Sequence, residues 1–452
     1  MSKYNLDILA CYRQAMLGAA IMLAACAFGH PALAGESVLD GGTVRILAVG
    51  DPAFQSMQKV QSQLEAQAGG KIDLHVVDFD TQHQQALLNF LNKVSKYDII
   101  SVEASQFGEY RSHLLDLTPL IHKSGMSGSD FQQPAWDGTT YDGKHLGIPI
   151  QPHEEILAYR KDLFAEAGLQ PPRTTSELLA DAKKLNNWKP GLAGVCWNAA
   201  RGTPLGQTFL FTMADYHQPI IDLAKEGNGF DIQNIKPSNM KPMINSPAGY
   251  AAADFLKQLT KYSPPGILDM AWDERVRVFN QGGCAMVYVW SGRTALWSLD
   301  PNSKVHGKVG YVPSPPGPGF PPESSLGGWF LAIPANIEKD RIPLAWRTIE
   351  WLTSRKILTL LTEHGDCVAP RHSMAADPAV LARCPVVAAM DRFSREGIFN
   401  GWERPPVAEL QQIVDIVGTV MHEMLSGTIS PQQAVVESQR RVNQMMRQAG
   451  YY

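Results

Sequence analysis

The stretch Gly282–Trp297 reads GGCAMVYVWSGRTALW. An apolar run, Cys284 to Val289, leads directly into Trp290, Ser291, Gly292 and Arg293, with Trp297 just beyond. A short apolar run behind a Gly-Gly turn predicts a buried strand. Flat rings and a fixed cation where that strand ends suit the holding of a ligand. An indole lies well against the apolar C–H face of a sugar ring, while Arg, carboxylates and amides hydrogen-bond to its hydroxyls. Trp136, Trp272, Trp290, Trp329 and Trp402 all fall in loops or at element ends, where binding residues concentrate on a rigid scaffold. Trp346 and Trp351 sit inside a helical run and read as core. Any one of these rings can equally be packing; the set carries the argument. Arg293 has two readings, a ligand hydroxyl or a brace to Asp300 or to a carboxylate across a cleft.

Catalytic patterns are missing from the sequence. There is no GxSxG, no Walker A and no GxGxxG, and His422-Glu423 fails as a zincin helix because the fifth residue is Ser426. Carboxylate neighbours such as Glu154/Glu155 occur, but 44 acidic residues guarantee such neighbours by chance. The histidines are scattered; His83 and His153 could line a cleft, and a surface place suits each as well. No CxxC pair or Cys/His cluster argues for a metal, and no cofactor is expected. A net charge of −4 and the want of RNA-binding or helix-turn-helix signatures leave no case for nucleic acid.

The elements that must position these residues alternate. Thr43–Val49 is β-rich, Phe54–Ala68 has helical spacing, and Ile72–Phe79 is a second strand. Gln84–Val94 is helical and Tyr97–Val102 is a third strand. Such alternation predicts a mostly parallel sheet with helices on its faces, and ligands gather at the carboxyl ends of its strands. Those ends carry Asp51, then Asp78 and Asp80, then Glu103, with Phe54 early in the first loop. Ile148-Pro149-Ile150 reads as a short extended piece, followed separately by Ile156–Tyr159. Gly191–Trp197 and the opening stretch supply strands of a second α/β unit. Pro313–Pro322, PSPPGPGFPP, is a loop and a boundary. Trp329–Ile333 returns to a strand. Leu344–Thr362, Val407–Met424 and Pro431–Met446 are helical. The 452 residues suggest two or three domains.

The N-terminus is a targeting segment. Lys3 and Arg13 precede the apolar run Ala15–Phe28, and Ala32 and Ala34 have the small side chains a signal peptidase accepts. Cleavage after Ala34 and a soluble exported protein is the expectation; a lipid anchor on Cys26, in Leu23-Ala24-Ala25-Cys26, is the alternative. The exported chain keeps Cys196, Cys284, Cys367 and Cys384. An oxidising compartment permits disulfides. Cys367–Cys384 is the favoured pair and Cys196–Cys284 a long-range one, with Cys284 alternatively a small packing residue.

Four stretches resemble the family 1 extracellular solute-binding proteins of bacterial ABC importers, the maltodextrin-binding-like class. They are Tyr97–Ile100 through Leu114–Leu120, Gly143–Ile150 with Ile156–Gly168, Phe279–Trp290, and Ser325–Pro334 (SLGGWFLAIP). The resemblance implies a two-lobed α/β fold of type II with the ligand cleft between the lobes. Chain crossings are expected near Pro149, Pro313 and Gly365. The first lobe would hold residues 35–148 and 314–365, and the second 149–313 and 366–452. The resemblance further implies a monomer that captures a sugar, small oligosaccharide or polyol in the periplasm and delivers it to ABC permease subunits. By position, Gly328, Trp329 and Trp290 match cleft residues, and Asp51, Asp80 and Glu103 match polar ligand contacts. The expected ligand-binding set is Asp51, Phe54, Asp80, Glu103, Trp272, Trp290, Arg293, Gly328, Trp329 and Trp402, with Trp290 and Trp329 offering rings from opposite lobes. Cys284 and Phe54 depart from the common pattern. A secreted carbohydrate-acting enzyme is the rival reading; it needs a carboxylate pair flanking a scissile bond.

Overall fold

A computed structural model describes residues 37–226, 229–231, 236–400 and 404–452 of the chain. The export segment with Cys26, Ala32 and Ala34 lies outside the described residues, as does Trp402. Nine strands form one continuous sheet. In chain order they are β1 (Thr43–Val49), β2 (Lys71–Val77), β3 (Ile99–Glu103), β4 (Ile148–Arg160), β5 (Ala193–Cys196), β6 (Cys284–Trp290), β7 (Val309–Pro313), β8 (Ser324–Ala332) and β9 (Phe399–Asn400).

β1 runs parallel to both β2 and β3, the arrangement that alternating strands and helices demand. Its side chains alternate between faces. Val44, Ile46 and Ala48 join the main core, while Leu47 packs on the opposite face with Phe107, Tyr110 and Phe330. β8 lies antiparallel between β3 and β4 and completes the first lobe's half of the sheet.

β4 joins the two lobes. Residues 148–154 pair with β8, whereas 155–160 pair with β6 and β7. The sequence suggests two short pieces interrupted by Gln151-Pro152-His153-Glu154-Glu155; the structure has one strand of 13 residues, nearly all buried. Pro152 is tolerated because a neighbouring glycine lets the strands deform. Gly328 faces it at φ 105°, and a Cβ there would collide with the Gln151 carbonyl. The pairing register shifts at the next step, between Trp329 and Phe330.

Two helices expected to be continuous are broken. Phe54–Ala68 becomes Pro52–Lys59 and Gln61–Ala68, interrupted at Val60. Leu344–Thr362 becomes Ile342–Leu352 and Arg355–His364, because the Ser354 hydroxyl caps the second helix by accepting from Ile357 N–H. The helix expected at Gln84–Val94 starts earlier, at Phe79, where Asp78 caps it through Thr81 N–H. After Gly365 the chain stays beside Asp130–Gln132, and the helix Val386–Arg395 then packs on β7. Among the described residues no helix is long and apolar enough to cross a membrane.

Both cysteine pairs form. Cys196–Cys284 staples β5 to β6, and Cys367–Cys384 closes a loop with a sequence separation of 17. The entropy removed from the unfolded chain by a loop that short corresponds to about 3 kcal/mol. Replacing Cys367 and Cys384 together by Ser is therefore expected to lower unfolding stability by about 3 kcal/mol in urea titrations of oxidised protein. An unchanged midpoint would mean that the bond constrains nothing.

Candidate ligand site in the interlobe cleft

The carboxyl ends of β1, β3 and β6 open on a cleft of about 540 Å³. Asp51 binds partners on both sides of the cleft. It follows β1 as the cap of the helix Pro52–Lys59 and is buried. Its Oδ2 accepts from Trp329 Nε1 at 2.7 Å, within the first lobe. Its Oδ1 accepts from Arg293 Nη2 at 2.9 Å, from the second. Arg293 also pairs with Asp273. Arg293 thus braces Asp51 and not Asp300. Burial disfavours its charge, but Asp51 and Asp273 outweigh that and raise its pKa.

Glu103 ends β3 and is also buried. It accepts from Ser105 N–H at 2.7 Å, from the Ser105 hydroxyl and from the Arg404 guanidinium. Burial alone would raise its pKa; Arg404 and Ser105 together hold it below the ordinary carboxylate value.

The aromatic residues divide in a way the sequence does not show. Trp290 does end its strand at the cleft, yet it is only 5% exposed. His153 lies tilted against it at 4.7 Å, the Arg404 guanidinium sits over it at 5.1 Å, and Phe211 meets it edge-on at 5.6 Å. Gly327 makes room, since a Cβ there would stand 3.0 Å from the ring. Trp290 therefore supports its polar neighbours, and little of its face is left for a sugar. Trp329, 3% exposed, is wedged by Phe54 and Phe79 at 6.4 and 6.0 Å and offers its N–H to Asp51. Trp272, at the start of the helix Trp272–Asn280, lines the cleft and stays partly exposed, with Arg275 over its ring.

Of the expected set, Asp51, Asp80, Glu103, Trp272, Trp290, Arg293 and Trp329 line one cleft. Phe54 does not: it is fully buried behind Trp329. Gly328 does not either, because its close approach to β4 is structural. His153, Arg201, Gln207, Arg404 and Asp415 also line the cleft and were not in that set. Of these, the sequence offers His153 as a possible cleft residue. Arg404 lies two residues beyond Trp402 in the sequence, and that spacing of an aromatic and a cation is the one local signal that could have found it.

Beneath the cleft β4 carries a buried polar seam. Gln151 donates to Asp366 at 2.9 Å, the Ser291 hydroxyl donates to Glu154 at 2.9 Å, and Arg275 pairs with Glu155. Burial pushes the Glu154 carboxyl up to about 8, against the opposing hydrogen bonds from the Ser291 hydroxyl and from Glu154's own backbone, and raises Asp366 well above its usual range. Glu154 is thus protonated when folded and ionised when unfolded between its ordinary pKa of about 4.3 and its folded value. Folding takes up a proton in that window, so stability falls as pH rises through it. Glu154→Gln should remove this slope: the variant gains on the wild type from pH 5 to pH 8 by an amount on the order of a few kcal/mol. Urea midpoints at both pH values measure it. Asp366 leaves a residual slope, and parallel pH profiles would mean that Glu154 is ionised in the fold.

The family model described as bacterial extracellular solute-binding protein matches residues 50–357. A Sinorhizobium fredii protein named "Probable amino-acid ABC transporter periplasmic-binding protein" is 24% identical, covering 91% of each chain. A mannitol-binding protein of Pseudomonas aeruginosa is 27% identical over 70% of this chain and 72% of its own. Among solved structures, an ABC transporter solute-binding protein of Agrobacterium radiobacter in complex with ribitol superposes with a TM-score of 0.80 at 29% identity. That match covers 90% of this chain and 99% of the other. With the sheet divided between two lobes and the polar residues gathered where they meet, the chain belongs to the bacterial extracellular solute-binding protein family.

Proposed function

We propose that the protein captures a small polyol or sugar in the periplasm and delivers it, chemically unchanged, to the permease of an ABC importer. One observation carries the choice of ligand. The two buried arginines lining the cleft are already held by carboxylates: Arg293 by Asp51 and Asp273, and Arg404 by Glu103. The remaining lining arginine among the described residues, Arg201, is exposed and lies 3.7 Å from Glu423. No buried lining arginine among the described residues is left over for the carboxylate of an amino acid. Carboxylates, a neutral imidazole and Gln207 remain, and these suit hydroxyls. The partly exposed Trp272 suits a carbon chain or ring face. The ribitol-bound and mannitol-binding relatives support the same reading; the relative named for an amino acid supports the other.

The lobes would consist of residues 35–148 with 314–365 and 149–313 with 366–452, closing about crossings near Pro149, Pro313 and Gly365. The exported form would begin at Gly35 and act as a monomer. Isothermal titration calorimetry against ribitol, D-mannitol, maltose, leucine and glutamate tests the ligand class. Binding of a polyol or sugar and of neither amino acid is expected; binding of an amino acid alone would replace the reading.

A further inference from the structure

We propose that His153 and Asp51 together form a seat for one ligand hydroxyl, which makes His153 a specificity-determining residue of the cleft. The inference rests on the polyol reading above and goes beyond it by assigning a site to a single functional group.

His153 lies on the crossing strand β4 and is 5% exposed. Its Nδ1 is buried without a hydrogen-bond partner. Buried polar atoms are nearly always paired, so an orphan on a residue that lines the cleft calls for a partner from outside the chain. The nearest carboxylate oxygen is Asp51 Oδ2, at 4.0 Å. That is too long for a direct hydrogen bond. It fits one oxygen standing about 2.8 Å from each atom. Asp51 Oδ2 takes a single hydrogen bond, from Trp329 Nε1, and a carboxylate oxygen has a further lone pair to offer.

The imidazole is held in place by Trp290 at 4.7 Å. Four charged groups surround it: Asp51, Glu103, Arg293 and Arg404. Burial dominates their opposing effects and lowers its pKa to about 4. At neutral pH the ring is therefore uncharged, with one N–H and one lone pair. A hydroxyl can accept from Nδ1–H and donate to Asp51, using both of its capacities. A methylene at the same place can do neither and leaves Nδ1 unpaired.

The test is calorimetry with ribitol and its 1-, 2- and 3-deoxy analogues on the wild type, His153→Leu and His153→Asn, with unfolding midpoints taken on the same preparations. Asn places a polar atom near the Nδ1 position; Leu does not. Ribitol affinity is expected to fall about 10- to 100-fold in His153→Leu and far less in His153→Asn. One deoxy analogue should lose a similar factor on the wild type and little more on His153→Leu, because the two deletions remove the same contact. If His153→Leu does not fold, the comparison of Asn with the wild type across the deoxy series decides. Ribitol binding by His153→Leu within twofold of the wild type, or every deoxy analogue losing equally on both proteins, overturns the seat and leaves the polyol reading standing. Binding of no polyol by the wild type overturns both.

Discussion

Arg275→Leu is expected to destabilise the protein by about 3–5 kcal/mol, and Arg275→Leu with Glu155→Leu to recover most of that loss. The Arg275 side chain is fully buried on the helix Trp272–Asn280. Its Nη1 and Nη2 donate to the two oxygens of Glu155 at 2.6 and 3.2 Å, the forked geometry in which a guanidinium holds a carboxylate most strongly. Removing only the cation strands a carboxylate in the interior. Removing both partners in favour of apolar side chains of similar bulk avoids that penalty, which is why the double variant should recover. Urea denaturation of the single and double variants measures the difference. A single-variant loss below about 1 kcal/mol would place the pair effectively in solvent. The same helix presents Trp272 and Asp273 to the cleft, so the single variant should also bind polyol more weakly.

The second large effect belongs to Asp51. Asp51→Ala is expected to weaken ribitol binding by about 2–5 kcal/mol, thirtyfold or more in Kd, while the isolated lobes keep their packing. The substitution removes the proposed ligand acceptor, which is also the partner of Trp329 Nε1 and one of the two carboxylates that hold Arg293. Because Asp51 and Arg293 come from different lobes, the variant should also need more ligand to reach the compact form. Calorimetry gives the affinity and small-angle scattering the closure. Wild-type affinity in Asp51→Ala would remove Asp51 from the site. Asp51→Asn should fall between, since its carbonyl oxygen can still accept from Trp329 while the charge facing Arg293 is gone.

Much of this was legible from local pattern. Thr43–Val49 declares itself a strand because every buried position is apolar within seven residues. Cys367 and Cys384 pair across a short loop. Asp51 and Glu103 follow apolar strands directly, so the rule that ligands gather at strand ends was enough to find them. Trp290 was found by the same rule, but its surroundings were not. Whether a ring faces ligand or packs depends on what else reaches it, and His153, Phe211 and Arg404 reach it from three distant parts of the chain.

The alternation of strands and helices, the buried strand that ends at Trp290, the pairing of Cys367 with Cys384 and the resemblance to solute-binding proteins are all readable from the linear order of residues. All of these rest on contacts or periods spanning few residues, or on motifs quoted whole. That Gln151–Glu155 is the middle of a strand, that Arg293 braces Asp51 and that Arg404 neutralises Glu103 emerges only in the folded chain. Those partners stand 242 and 301 residues apart. A charged residue is stable in a core only where its counterpart arrives there too. That meeting is fixed by how two lobes fold against one crossing strand, and no local window of sequence contains it.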